Sequence, residues 1–238
     1  MKIALLGYGK MGKAIEIIAV ERGHEIVLKI NADNIKDLTI ENLKVADVAI
    51  EFSTPEHVIS NISTSLKAGT PIVVGTTGWY DRQDDVYTQV KELDGTFLAA
   101  SNFSVGVNIF FEINRRLAEL MANQNSYSST IKEIHHTEKL DSPSGTAITL
   151  ADEIILQNTT YSSWKNSPSE KKDALEIISI REPQVPGTHE VTYDSDIDQI
   201  SIKHEAKNRK GFALGAVLAA EFIQPKKGIF NMQDVLKN

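Results

Sequence analysis

The chain has 238 residues, enough to bury a sizeable core in one large or two small domains, and its composition is that of a soluble globular protein. A formal net charge of -7 argues against nucleic-acid and anionic-membrane binding, and the absence of cysteine excludes disulfides, thiolate zinc sites and cysteine nucleophiles. The first apolar run is broken by Gly7 and is too short for a secretory signal or a membrane span, so a cytoplasmic location is the default expectation.

Through the first hundred residues, short apolar runs alternate with helical patterns. KIALL (2–6), HEIVLKI (24–30), VAIEF (48–52), PIVVG (71–75) and TFLAA (96–100) each read as a buried strand, which is the pattern of a parallel α/β sheet. The segment 12–23 has helical apolar spacing and ends at Gly23. In STPEHVISNISTSLKAG, Thr54 is the expected N-cap, Pro55 the first helical residue and Gly69 the terminator.

After Ser104 the order changes. A helix is expected over 107–122, a strand over 129–136, a helix over 146–156, and then three strands, 175–182, 188–194 and 198–205. Strands that follow one another without helices suggest a mixed or antiparallel sheet and hence a second domain of α+β type. The polar run 157–173 reads as a surface loop. FALGAVLAAEFI (212–223) reads as an apolar helix able to pack back on the first domain.

Gly7, Gly9 and Gly12 stand in G-x-G-x-x-G spacing, directly after the first strand and at the start of a helix. That context points to a dinucleotide site: the glycines allow a tight turn, close approach of a pyrophosphate and close helix packing, and the helix start favours negative charge. The acidic residue that usually holds the adenosine ribose is expected about twenty residues on. Here Asn31 ends the second strand and Asp33 follows; either can serve, and Lys29 and Lys10 could accommodate a 2′-phosphate. Gly75, Thr76 and Thr77, in GTTG, and Ala100, Ser101, Asn102 and Phe103 lie at the carboxyl ends of two further strands, where open parallel sheets bind ligands.

EIHHTEKLDSPSGTA (133–147) crowds two histidines, a lysine and a Ser-Gly-Thr turn together. No metal is expected: neighbouring strand side chains point to opposite faces, and no third ligand of familiar spacing stands nearby. Ser144, Gly145 and Thr146 fall where a helix must begin, so free backbone N–H groups, two hydroxyls, Lys139 and a histidine describe a pocket for a small carboxylate-bearing molecule. The other histidine is then available for proton transfer at neutral pH. A hydride carrier in one half and a proton donor beside an anion pocket in the other make a reductase. A nicotinamide-binding sensor would not need His135, Lys139 and the helix start together; a dehydrogenase of another small dicarboxylate would.

With GYGKMG, GTTG, SNFSVGVN and H-H-x-x-K-x-D-x-P-S-G-T-A in order, the chain resembles the dihydrodipicolinate reductases nearly end to end. The resemblance implies an α/β protein: a Rossmann-like dinucleotide-binding domain over 1–104 and 213–238, and an α+β substrate-binding and tetramerisation domain over 105–212 with a mixed open sheet. It implies reduction of 4-hydroxy-tetrahydrodipicolinate by NADPH or NADH in lysine and diaminopimelate synthesis, by a homotetramer. His135 would be the catalytic proton donor or acceptor and Lys139 a second proton donor. His136, Lys139, Ser144, Gly145 and Thr146 would hold the substrate carboxylates. Gly7, Tyr8, Gly9, Lys10, Met11, Gly12, Gly75, Thr76, Thr77 and Ala100 to Phe103 match the cofactor-contacting stretches. The sequence departs from the family at Asn31, where an acidic residue is common; at Glu182-Pro183, where a glycine pair often follows the arginine; and at Leu214, between the matching Arg209 and Phe212 on one side and Gly215 on the other.

Overall fold

The computed structural model describes residues 1–166, 173–208 and 210–237. The first segment runs β1 (Lys2–Leu6), α1 (Lys10–Glu21), β2 (Glu25–Ile30), α2 (Ile40–Leu43), β3 (Val48–Glu51), α3 (Pro55–Ala68), β4 (Ile72–Val74), α4 (Gln83–Glu92) and β5 (Thr96–Ala99). There follow α5 (Val105–Met121), β6 (Ser128–His135), α6 (Gly145–Gln157), β7 (Ser163–Asn166), β8 (Ala174–Arg181), β9 (Thr188–Asp194) and β10 (Gln199–Glu205). The chain closes with α7 (Lys210–Ile223), β11 (Gly228–Phe230) and α8 (Met232–Leu236). Two compact units result, Met1–Val105 with Lys210–Asn238, and Gly106–Arg209.

In the first unit the strands lie in the order β11-β5-β4-β3-β1-β2, all parallel. Alternate residues of β1 feed different cores: Ile3 and Leu5 join α1 and α7 on one face, Ala4 and Leu6 join α3 and α4 on the other. Both faces are therefore covered, which is why these strands read as unbroken apolar runs. Strand order reverses between β1 and β3, so the carboxyl ends of those two strands open the crevice where such sheets take ligands. The α3 boundaries are those its signals specify, with Thr54 as N-cap, Pro55 first and Gly69 left-handed at φ 73°.

The apolar α7 packs on α1 and across β3, β4 and β5, and its small residues let it come close. A Cβ at Gly215 would stand 1.7 Å from the Phe103 carbonyl oxygen. The sheet also has a sixth strand, β11, at its edge; three residues after a helix gave too short a run to read. The polar α4 was equally unmarked: only Val86 and Val90 are buried along it.

The second unit is a five-stranded sheet in the order β10-β9-β6-β8-β7, mixed as expected: β6 runs parallel to β8 and antiparallel to β9. An apolar row, Ile177, Ile131, Val191 and Ile202, crosses four strands in register. It packs with Leu150, Ala151 and Ile154 of α6 and Phe110 and Ala118 of α5. The run 157–173 is not simply a loop: Ser163–Asn166 form β7, parallel to β8. This edge strand is mostly exposed, so its outward residues are polar and carry no alternation; Trp164 alone packs on the core. Residues 167–172 of that run, and Arg209, lie outside the described residues.

Candidate active site

In the first unit the glycine loop shows three separate physical requirements. Gly7 has φ +96°, and a Cβ there would stand 2.1 Å from the Phe52 carbonyl oxygen; a Cβ at Gly12 would stand 2.5 Å from the Gly7 carbonyl oxygen. Gly9 instead faces open space within 4 Å. It caps α1 with no side-chain hydrogen bond, so the first N–H groups of that helix are available to an anion. A cavity of about 360 Å³ adjoins the loop, lined by Gly7, Tyr8, Gly9 and Asn31 together with Phe52, Ser53, Thr54, His57 and Asn61. The last five were missed in the sequence, where Thr54 and Pro55 registered only as a helix start.

Asn31 Oδ1 accepts from the backbone N–H groups of Asp33 and Asn34, at 2.9 and 3.2 Å, and so caps the turn after β2. Asn31 lines the cavity; the exposed Asp33 does not. Lys29 is paired with Glu16 at 2.6 Å and lies 5.0 Å from the Tyr8 ring centre, while the Tyr8 hydroxyl also bonds Glu16. Lys10 and Met11 sit in the first turn of α1, Lys10 exposed and Met11 against the core.

The GTTG turn and the segment 100–103 are held by the fold. A Cβ at Gly75 would meet the Phe52 ring at 2.2 Å. Thr76 is buried and its carbonyl accepts from the Trp79 indole at 2.7 Å; Thr77 is exposed. Ala100 N–H donates to the Val74 carbonyl, Ser101 is exposed, and Asn102 Oδ1 accepts from Ser104 N–H. Phe103 is a core residue, 5.5 Å from Phe52 between ring centres.

In the second unit, β6 carries Glu133 and His135 on the same face as Ile131, because alternate residues of a strand share a face. Register then sets Ser179 and His189 beside Glu133, and Arg181 beside His135. The apolar row is thus followed by a polar one. Glu133 is fully buried, with Oε1 accepting from Arg181 at 2.9 Å and Oε2 in ion-pair contact with His135 Nδ1. Burial pushes its carboxyl up, but hydrogen bonds from His135, Ser179 and Arg181 prevail and hold its pKa at about 2. Burial, aided by the charge of His135, pushes His189 down to about 3, so its ring is neutral at physiological pH.

The His135 and His189 rings are 5.0 Å apart between centres, and His189 Nε2 bonds Ser144 Oγ at 3.0 Å. Ser144 Oγ also accepts from Ala147 N–H and caps α6, so this hydroxyl is committed to the fold while the exposed Gly145 opens the helix. Thr146 is half-buried in the same first turn. Lys139 Nζ donates to both oxygens of Asp141. The loop between them is fastened by Arg181, which donates to the Asp141 carbonyl at 2.7 Å, and by Asn166 of β7, which donates to Ser142 Oγ at 2.9 Å. His136 turns away from this group and lines a separate cavity of about 390 Å³ with Thr137, Glu138 and Pro183 to Pro186.

Glu133, His135 and His189 could each offer one ligand atom, all within 4.8 Å of one another and without His136; sheet register, not sequence spacing, brings His189 there. His135 Nδ1 contacts Oε2 directly and Arg181 pairs with Oε1, so the buried carboxylate is held from both sides. Glu133, Arg181 and His189 were missed as site residues; the i, i+2 spacing of Glu133 and His135 was the available signal.

The family profile for the N-terminus of dihydrodipicolinate reductase matches residues 1–103, and that for its C-terminus matches residues 106–236. The chain belongs to the dihydrodipicolinate reductase family. A 4-hydroxy-tetrahydrodipicolinate reductase from Christiangramia forsetii is 50% identical over 100% of this chain and 98% of its own. One from Rickettsia rickettsii is 35% identical over 96% of this chain and 95% of its own. Among solved structures, the dipicolinate-bound dihydrodipicolinate reductase from Paenisporosarcina sp. TG-14 superposes with a TM-score of 0.78 over 98% of both chains at 22% identity, a likeness of fold. Membership of the dihydrodipicolinate reductase family makes the chain an oxidoreductase with a nicotinamide cofactor and a small-molecule substrate. The open Gly9, the uncapped start of α1 and the adjoining cavity fit such a dinucleotide.

Proposed function

We propose that the chain reduces 4-hydroxy-tetrahydrodipicolinate to tetrahydrodipicolinate, with loss of water, using NADPH or NADH, in lysine and diaminopimelate synthesis. The observation that carries this reading is the contact of His135 with His189, which bonds Ser144 at the start of α6: a proton-transferring imidazole adjoins a helix start suited to a carboxylate. The name of the relative 50% identical to this chain, and the dipicolinate held by its structural neighbour, support a cyclic dicarboxylate as ligand.

Bound nicotinamide supplies the hydride. The glycine loop and the α1 start hold the pyrophosphate, Asn31 faces the adenosine ribose, and Gly75 to Thr77 and Ala100 to Phe103 border the remainder of the cofactor. His135 moves the proton, Lys139 assists, and the N–H groups of Gly145 and Thr146, with Lys139 and His136, take the carboxylates. The first unit is the dinucleotide-binding domain and the second binds substrate and assembles the protein. Four copies would join through the outer face of the second sheet, where Glu190 stands in register between Lys132 and Lys203 and so offers charges of both signs to another copy. We place the reaction in the cytoplasm, where NAD(P)H is supplied.

The test is the absorbance of the reduced nicotinamide, with substrate generated in place from pyruvate and aspartate semialdehyde by the preceding synthase. Loss of absorbance that requires substrate supports the reductase, and pyridine-2,6-dicarboxylate should compete. No loss, from protein that still binds NADH, would favour a sensor or another dicarboxylate as substrate.

A further inference from the structure

We infer that Glu133, held by Arg181, is a positioning residue that fixes the tautomer of His135, with Nδ1 protonated and Nε2 left to exchange the proton with the substrate. The inference rests on the proposed reduction for what the proton does, but the tautomer itself can be read without turnover.

A carboxylate only accepts hydrogen bonds, so the ring nitrogen against Glu133 Oε2 must carry a hydrogen. The carboxylate is buried, and it cannot turn away because Arg181 holds Oε1 at 2.9 Å. Arg181 is fixed in turn by the Ile180 and Asp141 carbonyl oxygens, at 2.9 and 2.7 Å. Nε2 faces a different neighbour. A Cβ at Gly187 would stand 3.0 Å from it, and the backbone there, at φ +157°, disfavours any side chain. Glycine thus keeps a side chain off that nitrogen while glutamate occupies the other.

The charged and titratable groups facing His135 are Glu133 on its own strand, Arg181 on β8, His189 on β9, and Lys139 and Asp141 in the following loop. His189 is held neutral by burial, so among the described residues only Glu133 offers Nδ1 a charged acceptor in contact. A purely structural Glu133–Arg181 pair would be satisfied without the histidine; the relay through Nδ1 is what the contact adds.

The substitution Glu133→Gln keeps the shape but changes the hydrogen bonding. Arg181 retains the amide oxygen, which turns the NH₂ toward Nδ1; Nδ1 must then accept, and the hydrogen moves to Nε2. In protein labelled with ¹⁵N-histidine, nuclear magnetic resonance should show the Nδ1–H tautomer for wild-type His135 and the Nε2–H tautomer for Glu133→Gln, with the signal assigned by its loss in His135→Gln. kcat should fall on the order of 10²- to 10⁴-fold with KM within about threefold. Glu133→Asp should keep the wild-type tautomer and recover much of kcat. A wild-type ring with the hydrogen on Nε2, no inversion in Glu133→Gln, or a loss confined to KM would overturn the inference. Wild-type protein without reductase activity would instead overturn the proposed function, leaving the tautomer to decide this point alone.

Discussion

Lys139 Nζ donates to both carboxylate oxygens of Asp141, at 2.7 and 2.8 Å, so the cation proposed to meet the substrate is already engaged by an anion of its own loop. A substrate carboxylate must replace Asp141 at that ammonium. Asp141 is largely exposed, and pairs of this kind are worth about 0.2–1 kcal/mol. Asp141→Asn should therefore tighten binding of pyridine-2,6-dicarboxylate by up to about fivefold at low salt, and the gain should shrink as salt is added. Lys139→Ala should weaken the same binding and also lower kcat. Calorimetric titration of the three proteins checks the binding and the absorbance assay checks kcat; weaker binding by Asp141→Asn would mean that the aspartate orients the lysine.

Acid should unfold the second unit through two groups in one row. His189 titrates at about 3 in the fold against an ordinary 6.5, and Glu133 at about 2 against 4.5. In both cases the unfolded chain takes up a proton before the native one does, so stability falls as pH falls. The His189 contribution is lost from about 6.5 down to 3, the Glu133 contribution from about 4.5 down to 2. Urea midpoints measured across this range should fall steadily for wild type. His189→Gln should flatten the slope between about 6.5 and 4.5, and Glu133→Gln the slope below about 4.5. A wild-type midpoint independent of pH would show that neither group is shifted.

The parts of this architecture that could be read from sequence are those set by local chemistry. Burial on both faces made β1, β3, β4 and β5 continuous apolar runs, and Thr54, Pro55 and Gly69 marked the ends of α3. What escaped depends on partners far along the chain. β7 and β11 are edge strands, stabilised by neighbours rather than by alternation. Arg181 and His189 become site residues only because β8 and β9 flank β6 in a particular register, 46 and 54 residues from His135 by the numbering. His57 and Asn61 reach the cavity beside the glycine loop because strand order reverses at β3, which no single segment announces.

Cofactor choice should respond to Asn31. Its Oδ1 caps the turn after β2, and an aspartate would keep that role while adding a negative charge to the cavity wall. A carboxylate there suits the ribose hydroxyls of NADH and repels a 2′-phosphate. Asn31→Asp should weaken NADPH by about tenfold or more, the effect of roughly 1.4 kcal/mol, and leave NADH unchanged or tighter. Titration of nicotinamide fluorescence reads both constants without turnover. Equal losses for the two cofactors would place the adenosine ribose elsewhere.

Glu51 ends β3 fully buried, with Oε1 accepting from Ser53 N–H at 3.0 Å, from the Ser53 hydroxyl, and from Asn61 Nδ2 at 3.2 Å. Burial pushes its pKa up, outweighing the hydrogen bonds from Ser53, Thr76 and Asn61 that pull it down. A carboxyl raised in the fold stabilises it below its ordinary pKa and ceases to do so as pH rises through the raised value, so ionised Glu51 is a cost at neutral pH. Glu51→Gln keeps the accepting oxygen for Ser53 and Asn61 and removes the charge. The melting temperature at neutral pH should rise by about 2–4 °C for each kcal/mol recovered in a chain of this size, and the advantage over wild type should vanish toward about pH 4. Glu51→Ala should melt lower at every pH, because the donors of Ser53 and Asn61 lose their acceptor. Since both residues line the cavity proposed to take the dinucleotide, the alanine variant should bind NADH more weakly while the glutamine variant binds it as wild type does. A glutamine variant that melts lower than wild type at neutral pH would mean that the surrounding donors hold Glu51 ionised despite its burial.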